Sequence, residues 1–357
     1  MNTRLQQLRD TGQSLWLDNI TRTLLDDGTL AHYIAEYGIT GLTSNPTIFD
    51  KAIGGSDAYD AAIADKTIAG LKDEALFIEL ALEDLRRASQ MFEPAHKASD
   101  GVDGWVSMEL SPLLASDTAG SIAAAARIHA QAVCDNLYIK IPGTVEGVPA
   151  IEESIYNGIP INVTLLFSTE QYLAAAHAYL RGIERRIQDG RSPVVSSVAS
   201  LFVSRWDKAI AGSAPEELHN TLGIAVSRQA YRAYRELLAS ERWQKLAAVG
   251  AQPQRLLWAS TGAKDPKAPD TLYVAALAAP ETVDTIPEET LRAFADHGVV
   301  NSVLDADDAS DVLQPFTDAG IDTAALAAQL QREGAKSFVD SWQQLMQRIG
   351  EKAKQLA

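Results

Sequence analysis

Short apolar runs alternate with longer stretches rich in alanine and leucine along most of this chain. The runs have the length of buried strands, and the stretches between them have the length and periodicity of helices. Eight runs are candidate strands: 15–18, 41–44, 104–109, 136–141, 159–166, 193–198, 256–260 and 282–285. A strand followed by a helix, repeated about eight times, predicts an α/β fold with a parallel sheet.

The chain length and the lack of a linker favour one domain. A chain of 357 residues suits either one large α/β barrel or two ordinary domains. No segment rich in proline, glycine or serine divides it, so we interpret residues 1–357 as a single domain. The stretches 49–102 and 206–252 exceed one strand–helix unit and have room for additional helices. The segment 324–357 is predicted to be an amphipathic helix that closes the barrel or covers its surface.

The clearest helical stretches lie between the candidate strands. They are 71–91, 118–133, 169–188 and 216–239. Ser168 precedes the third of these and is a candidate N-cap, because its hydroxyl can accept a hydrogen bond from the first turn.

The charge balance argues against two classes of partner. Lys and Arg total 31 and Asp and Glu total 47, which gives a formal net charge of −16. The field of such a chain repels phosphate, so we predict that it binds neither nucleic acid nor an anionic membrane. No apolar run reaches the roughly 18–20 residues that a membrane span needs. An anionic substrate must therefore be met by a locally basic pocket.

Several devices for cofactor binding are missing from the sequence. The single cysteine, Cys134, excludes an intrachain disulfide and a cysteine-based metal cluster. The six histidines form no zinc-binding pattern, so no metal is expected. Neither a phosphate-binding glycine loop nor a dinucleotide-binding glycine turn occurs. Residues 1–10 are polar and no apolar segment follows them, so no secretory signal is expected and the predicted location is the cytoplasm.

Most of the apolar runs carry polar residues near their C-terminal ends. These residues are Asp18, Asn45, Glu109, Lys140, Asn162, Thr164, Ser196, Ser197, Ser200 and Ser260. A buried, unpaired polar group costs roughly 1–3 kcal/mol, so the repetition predicts a function. In a β/α barrel the C-terminal strand ends form the catalytic mouth. A lysine, an aspartate and a glutamate that converge there form a candidate set of nucleophile, base and acid.

Each of these three residues also has a structural interpretation. Lys140 is either an edge residue that extends its amine to solvent or a nucleophile. It shares a strand face with Tyr138, and a desolvated lysine has a lowered pKa that suits imine chemistry. Asp18 is either a helix N-cap or a base, and Glu109 is either half of a loop salt bridge or a proton carrier.

Four segments resemble signatures of one enzyme family. Residues 41–49 read GLTSNPTIF, 137–147 read LYIKIPGTVEG, 161–168 read INVTLLFS and 200–205 read SLFVSR. They resemble, in order, the Thr-Ser/Thr-Asn-Pro turn, the block with the Schiff-base lysine, the Asn-x-Thr-Leu-x-Phe strand and the Ser-Pro-Phe-Val-Gly-Arg segment of transaldolases. The similarity extends from about residue 15 to beyond residue 260.

The resemblance implies a class I transaldolase on a (β/α)8 TIM barrel, acting without metal or cofactor. Such enzymes transfer a dihydroxyacetone unit from sedoheptulose 7-phosphate to glyceraldehyde 3-phosphate. The products are erythrose 4-phosphate and fructose 6-phosphate, and the reaction belongs to the non-oxidative branch of the pentose phosphate pathway. The implied partners are sugar phosphates, and the sequence does not indicate an oligomeric state.

The matched positions take roles from the family. Lys140 forms the imine with the ketose, and Glu109 with Thr164 carries protons during its formation. Asp18 takes the proton from the hydroxyl whose carbon leaves as the aldehyde. The implied substrate-binding residues are Asn45, Asn162 and Ser200 for the sugar hydroxyls, Phe202 as a wall against water, and Arg205 with Ser260 for the phosphate.

Some positions depart from the family pattern. Leu201 and Ser204 replace the proline and the glycine beside the phosphate arginine. The chain also lacks the second arginine that follows the seventh strand in the better-known subfamily. Lys264 is either the substitute cation for the phosphate or a solvated loop lysine beside Asp265.

Three alternatives remain at this point. A Schiff-base aldolase would share Lys140 and Asp18 but would release the ketone fragment without an acceptor. A barrel that binds sugar phosphates without reaction would not need Lys140, Asp18 and Glu109 together. A purely structural domain fits the composition but leaves the polar strand ends unexplained.

Overall fold

Eight parallel strands close into a barrel in the computed structural model, which describes residues 2–304 and 312–356. Each strand pairs with its neighbours in sequence, and β8 pairs with β1. The strands are β1 (Ser14–Leu17), β2 (Gly41–Thr43), β3 (Trp105–Glu109), β4 (Leu137–Pro142), β5 (Ile161–Leu166), β6 (Ser197–Phe202), β7 (Gln254–Ala259) and β8 (Val283–Ile286). The predicted (β/α)8 barrel is therefore confirmed.

Helices follow the strands and cover the barrel. They are α1 (Thr3–Asp10), α2 (Arg22–Asp26), α3 (Thr29–His32), α4 (Pro46–Gly55), α5 (Asp60–Ile68), α6 (Asp73–Ala98), α7 (Thr118–Ala132), α8 (Gly147–Tyr156), α9 (Thr169–Gln188), α10 (Ser204–Ile210), α11 (Leu222–Ala239), α12 (Glu241–Ala247), α13 (Leu272–Ala276), α14 (Glu288–His297), α15 (Gln314–Asp318) and α16 (Thr323–Leu356). A π-helical turn (Tyr33–Tyr37) and two 3-10 turns (Pro112–Leu114 and Glu216–Leu218) complete the described elements. None of the described helices is long and apolar enough to cross a membrane.

The sequence pattern located the helices closely. The predicted helix 169–188 is α9, and the Ser168 hydroxyl accepts a hydrogen bond from Gln171 N at 3.2 Å, as an N-cap does. The long stretch before β3 contains α4, α5 and α6, and the one before β7 contains α10, α11 and α12. These are the additional helices that the sequence left room for.

One predicted strand is displaced by four residues toward the N-terminus. The candidate 193–198 overlaps only the first two residues of β6. Val194 is 53% exposed in the loop before the strand, so the β-branched pair Val194-Val195 does not mark it. The strand instead alternates between Val198, Ser200 and Phe202 on the inner face and residues such as Ala199 and Leu201 on the face toward the helices. Ser200 therefore lies inside a strand and not in the loop after it.

The strands place apolar residues against the helices and a layered interior inside the barrel. In β4, Leu137, Ile139 and Ile141 belong to the core beneath the helices, whereas Tyr138 belongs to the barrel interior. Tyr138 stacks on Trp105 with ring centroids 4.1 Å apart. Together with Trp16 these rings fill the N-terminal end of the barrel. The polar strand residues lie above this aromatic floor, toward the C-terminal strand ends.

The C-terminal helix α16 packs against the barrel, close to the mouth. The Gln331 side-chain amide donates hydrogen bonds of 3.0 Å to the carbonyl oxygens of Gly143 and Leu165. Gly143 directly follows β4, and Leu165 is the last but one residue of β5. Farther along the helix, Trp342 packs edge-on against Phe77 of α6, with ring centroids 5.1 Å apart. The helix therefore reaches from the strand ends to the outer helical layer.

Candidate active site

A cavity of about 110 Å³ lies at the C-terminal ends of the strands. It is lined by nine of the predicted site residues: Asp18, Asn45, Lys140, Thr164, Ser200, Phe202, Arg205, Ser260 and Lys264. Glu109 and Asn162 do not line it, although each contacts a residue that does. The structure thus brings the predicted set together around one space.

Lys140 and Glu109 form a buried ion pair. The two residues are direct partners in the register between β3 and β4, so their inward side chains lie side by side. Lys140 Nζ lies 2.7 Å from Glu109 Oε2 and donates to the Ser44 carbonyl oxygen at 3.0 Å. Burial raises the pKa of Glu109, while the charge of Lys140 and its hydrogen bond lower it. Neither residue is a solvent-directed edge residue or part of a loop salt bridge.

Asp18 faces the same cavity from β1. Its Oδ1 accepts a hydrogen bond of 2.9 Å from the Thr43 hydroxyl, which also lies 2.6 Å from the Thr285 hydroxyl. Enclosure by protein atoms raises the pKa of Asp18, and the charge of Lys140 and the Thr43 hydrogen bond oppose that shift. The N-cap interpretation is wrong, because Thr21 caps α2. Asp18 is thus free to contact a ligand.

A polar layer lies beneath the cavity. Asn162 Oδ1 accepts a hydrogen bond of 2.7 Å from Ser200, and its amide nitrogen lies 3.3 Å from the Ser107 hydroxyl. Asn162 is fully buried, so its own contact with a substrate stays a prediction. Asn45 lines the cavity, but its Oδ1 also caps α4 by accepting from Ile48 N at 3.0 Å.

Thr164 differs from its neighbours because its buried hydroxyl has no hydrogen-bond partner among the described residues. It lies on β5 next to Leu165, whose φ of +58° is strained for a leucine. The register between β5 and β6 shifts at this point. Bulges and positive φ values are typical of the places where a strand aims a side chain into a site.

The outer part of the cavity carries positive charge. The Arg205 guanidinium carbon lies 5.1 Å from the Phe202 ring centroid, and burial lowers the pKa of Arg205. The Ser260 hydroxyl lies 2.9 Å from the Ser204 hydroxyl, so the serine that replaces the family's glycine contacts Ser260. Burial and the charge of Arg205 lower the pKa of Lys264, which forms no ion pair in the described part of the chain.

The comparisons with known proteins point the same way as this geometry. A family model described as "Transaldolase/Fructose-6-phosphate aldolase" matches residues 15–349. A protein named "Transaldolase" from Thermobifida fusca (strain YX) is 45% identical over 368 residues, covering 100% of this chain and 99% of that protein. The chain belongs to the transaldolase/fructose-6-phosphate aldolase family. The resemblance seen in the four sequence segments is thereby confirmed.

Further relatives in this family match over nearly their whole length. A "Transaldolase" from Arthrobacter sp. (strain FB24) is 44% identical, covering 97% of this chain and 96% of that protein. A "Transaldolase 2" from Nostoc punctiforme (strain ATCC 29133 / PCC 73102) is 39% identical, covering 99% and 98%. The departures at Leu201, Ser204 and Lys264 therefore occur within a chain that matches transaldolases over nearly all of its residues.

Sequence reasoning missed several residues of this transaldolase-family site. They are Thr43, Ser44, Ser107 and Thr285 on the barrel strands and their ends, and Phe338 on α16. A usable signal existed for Ser107, which lies two positions before Glu109 and so on the same strand face. No such signal exists for Phe338, because its helix is distant in sequence from every strand.

Asp284 is a buried carboxyl that sequence reasoning also missed. It lies in β8, one position before Thr285, and faces away from the cavity. The Thr261 hydroxyl donates to its Oδ1 at 3.0 Å, and burial raises the pKa of Asp284 to about 8. Thr261 follows Ser260 in the chain, so the Thr261–Asp284 hydrogen bond stabilises the turn that carries Ser260. The described residues contain no group of three or more His, Cys, Asp or Glu placed to hold a metal ion.

Proposed function

We propose that the protein is a transaldolase that transfers a dihydroxyacetone unit through an imine on Lys140. The observation that carries the proposal is the buried Lys140–Glu109 pair at 2.7 Å, whose lysine lines a cavity together with Asp18, in a chain of this family. A ketose phosphate is the donor and an aldose phosphate is the acceptor. The natural pair is sedoheptulose 7-phosphate and glyceraldehyde 3-phosphate, as in the pentose phosphate pathway.

Formation of the imine uses Lys140, Glu109 and Thr164. The Lys140 amine adds to the C2 carbonyl of the ketose after Glu109 has taken its ammonium proton, and water leaves from the carbinolamine. Glu109 carries the protons of these steps, and burial favours its protonated form. The Thr164 hydroxyl has no hydrogen-bond partner in the described structure, and its proposed role is to hold the water that links it to Glu109.

Cleavage of the carbon–carbon bond uses Asp18. Its carboxylate takes the proton of the C4 hydroxyl while the C3–C4 bond breaks, and the electron pair of that bond moves into the imine to give an enamine. The C4 fragment leaves as an aldehyde. The enamine then attacks the acceptor aldehyde, Asp18 returns the proton to the new hydroxyl, and hydrolysis of the imine frees Lys140.

The surrounding residues hold the sugar and exclude water. Asn45 and Ser200 contact the hydroxyls of the retained three-carbon unit, and Asn162 holds Ser200 in place from below. Phe202 limits the access of water to the enamine, which would otherwise be hydrolysed. At the outer end, Arg205 binds the substrate phosphate, and Ser260 and Lys264 assist it.

The wider setting of this activity is also proposed. The reaction needs neither metal nor cofactor, because the lysine itself supplies the electron sink. We place the protein in the cytoplasm and regard residues 1–357 as one barrel domain. Nucleic acid is not a partner on the charge argument given above.

Borohydride trapping tests the chemistry. Incubation with fructose 6-phosphate and borohydride should reduce the imine to a stable adduct on the peptide that contains Lys140, as peptide mass analysis would show. Omission of the sugar is the control. Absence of any adduct in folded protein would refute imine chemistry. In a separate incubation without borohydride, fructose 6-phosphate and erythrose 4-phosphate should yield sedoheptulose 7-phosphate, whereas release of free dihydroxyacetone without an acceptor would identify an aldolase.

Replacement of Arg205 by alanine should selectively weaken the binding of phosphorylated substrates. A charged, forked hydrogen bond contributes about 1.5–3 kcal/mol, so KM for fructose 6-phosphate should rise about tenfold to a hundredfold. Steady-state kinetics measures the change, and Arg205→Lys, which keeps the charge without the fork, should lie between wild type and alanine. An unchanged KM would place the phosphate elsewhere.

A further inference from the structure

The Arg205 guanidinium lies close to two aromatic rings, and no polar partner for it is found among the described residues. Its guanidinium carbon lies 5.1 Å from the centroid of Phe202 and 5.9 Å from that of Phe338. The described structure gives it no ion pair and no hydrogen bond. Its five N–H donors are therefore available to a ligand, and the rings are what holds the charged group in place.

The second ring comes from outside the barrel. Phe202 belongs to β6, but Phe338 belongs to α16, and it is 5% exposed while lining the cavity. Buried aromatic faces attract a guanidinium through the negative charge at the ring face. The C-terminal helix thus contributes one of the two faces that hold Arg205.

The helix approaches Arg205 closely because residue 334 is glycine. A Cβ at Gly334 would lie 3.2 Å from Arg205 Nη1 and 3.0 Å from Leu165 Cδ2. Both contacts are tighter than ordinary van der Waals separations, so a side chain here would displace its neighbours. Glycine inside a helix is destabilising relative to alanine, and the close approach is a physical reason for its presence at position 334.

Three α16 residues lie on one face of the helix at spacings of three and four, and we call them the α16 stripe: Gln331, Gly334 and Phe338. Gln331 anchors this face to the β4 and β5 ends through its two hydrogen bonds of 3.0 Å. The anchor places Gly334 beside Arg205 and Phe338 over its guanidinium. The stripe therefore acts on the cavity as a unit.

We infer that the α16 stripe is a positioning element for the substrate phosphate, with Phe338 and Gly334 holding Arg205 in its binding geometry. The inference rests on the proposed role of Arg205 in phosphate binding. It assigns no chemical step to Phe338, which acts through Arg205. It makes the C-terminal helix part of the specificity for phosphorylated sugars.

The test uses the full chain and inorganic phosphate as the probe. Calorimetric titration measures the dissociation constant for phosphate in wild type, Phe338→Leu and Gly334→Ala. Leucine keeps an apolar side chain but removes the ring face, and alanine adds one methyl at the close approach. Each variant should weaken phosphate binding about tenfold. KM for fructose 6-phosphate should rise in parallel, with a smaller change in kcat.

Two measurements separate positioning from general damage. Trapping of unphosphorylated dihydroxyacetone on Lys140 by borohydride should change less than twofold in Phe338→Leu, because that ketone has no phosphate. Trp342→Leu removes an aromatic ring one turn farther along α16, where it contacts Phe77, and is the matched control. It should bind phosphate as wild type does.

Each outcome decides the inference. Unchanged phosphate binding in both Phe338→Leu and Gly334→Ala would overturn it, as would an equal loss in Trp342→Leu. So would wild-type protein that does not bind phosphate, or Arg205→Ala that binds it normally. Failure of the proposed function would give a different result. No sugar would then be trapped on Lys140, while the dissociation constants for phosphate would still be measurable.

Discussion

Replacement of Lys140 by alanine should abolish transfer, lowering kcat by about four orders of magnitude or more. The reason is that no other amine in the described structure pairs with Glu109, since Lys264 lies in the outer part of the cavity. Without the imine, the electrons of the breaking carbon–carbon bond have no acceptor. Transfer kinetics and borohydride trapping measure the loss, and both the product and the adduct should disappear.

The alanine variant also leaves Glu109 buried without its ionic partner. Removing one member of a buried pair typically costs about 3–5 kcal/mol, although protonation of the carboxyl limits the penalty. Lys140→Arg is therefore the matched variant, because it keeps the positive charge beside Glu109 but has no amine that forms an imine. It should be as inactive as alanine while retaining more of the free energy of unfolding. Turnover of Lys140→Arg above about one per cent of wild type would contradict the nucleophile assignment.

Replacement of Asp18 by asparagine should separate imine formation from cleavage. The change keeps the shape and the oxygen that accepts the Thr43 hydrogen bond, but it removes the base. Transfer should slow by about a hundredfold to ten-thousandfold, as is typical for loss of a general base. Borohydride should still trap fructose 6-phosphate on Lys140, and the adduct should retain all six carbons. Peptide mass analysis distinguishes it from the three-carbon adduct of wild type.

Thr43→Val provides the control for the Asp18 assignment. The Thr43 hydrogen bond lowers the pKa of Asp18, so its removal should raise that pKa further above the ordinary aspartate value. Because Asp18 must be ionised to take the proton, the acidic limb of the rate profile should move to higher pH in this variant. At high pH the transfer rate of Thr43→Val should fall much less, relative to wild type, than the rate of Asp18→Asn. Normal turnover of Asp18→Asn, or release of aldehyde from its adduct, would identify a different base.

The strand ends explain why the sequence was informative about the site. A parallel barrel brings all C-terminal strand ends together, so polar residues far apart in the chain could be predicted to meet. Alternation along β4 also predicted that Lys140 shares the interior with Tyr138, and the structure confirms this. The family resemblance then supplied roles that position alone does not.

Other features depended on packing that a linear pattern does not contain. The run at Val194-Val195 was apolar enough for a strand, yet Val194 is 53% exposed in the preceding loop. Whether Asp18 capped a helix was undecidable before the structure showed Thr21 in that role. The contact of Phe338 with Arg205 joins residues 133 positions apart in the printed sequence, and no local periodicity predicts such a contact.

The aromatic floor of the barrel has a kinetic consequence. In the described structure Trp16, Trp105 and Tyr138 fill the N-terminal end, so reactants reach Lys140 from the C-terminal side, where the cavity lies. The departing aldehyde and the acceptor aldehyde must then pass one after the other through the mouth at the C-terminal strand ends. Because the three-carbon unit stays covalently bound to Lys140 between these two events, the first product leaves before the second substrate binds, which is a double-displacement order. The enzyme must retain the three-carbon enamine on Lys140 during that exchange, and the closed N-terminal end keeps solvent from reaching the enamine through the barrel.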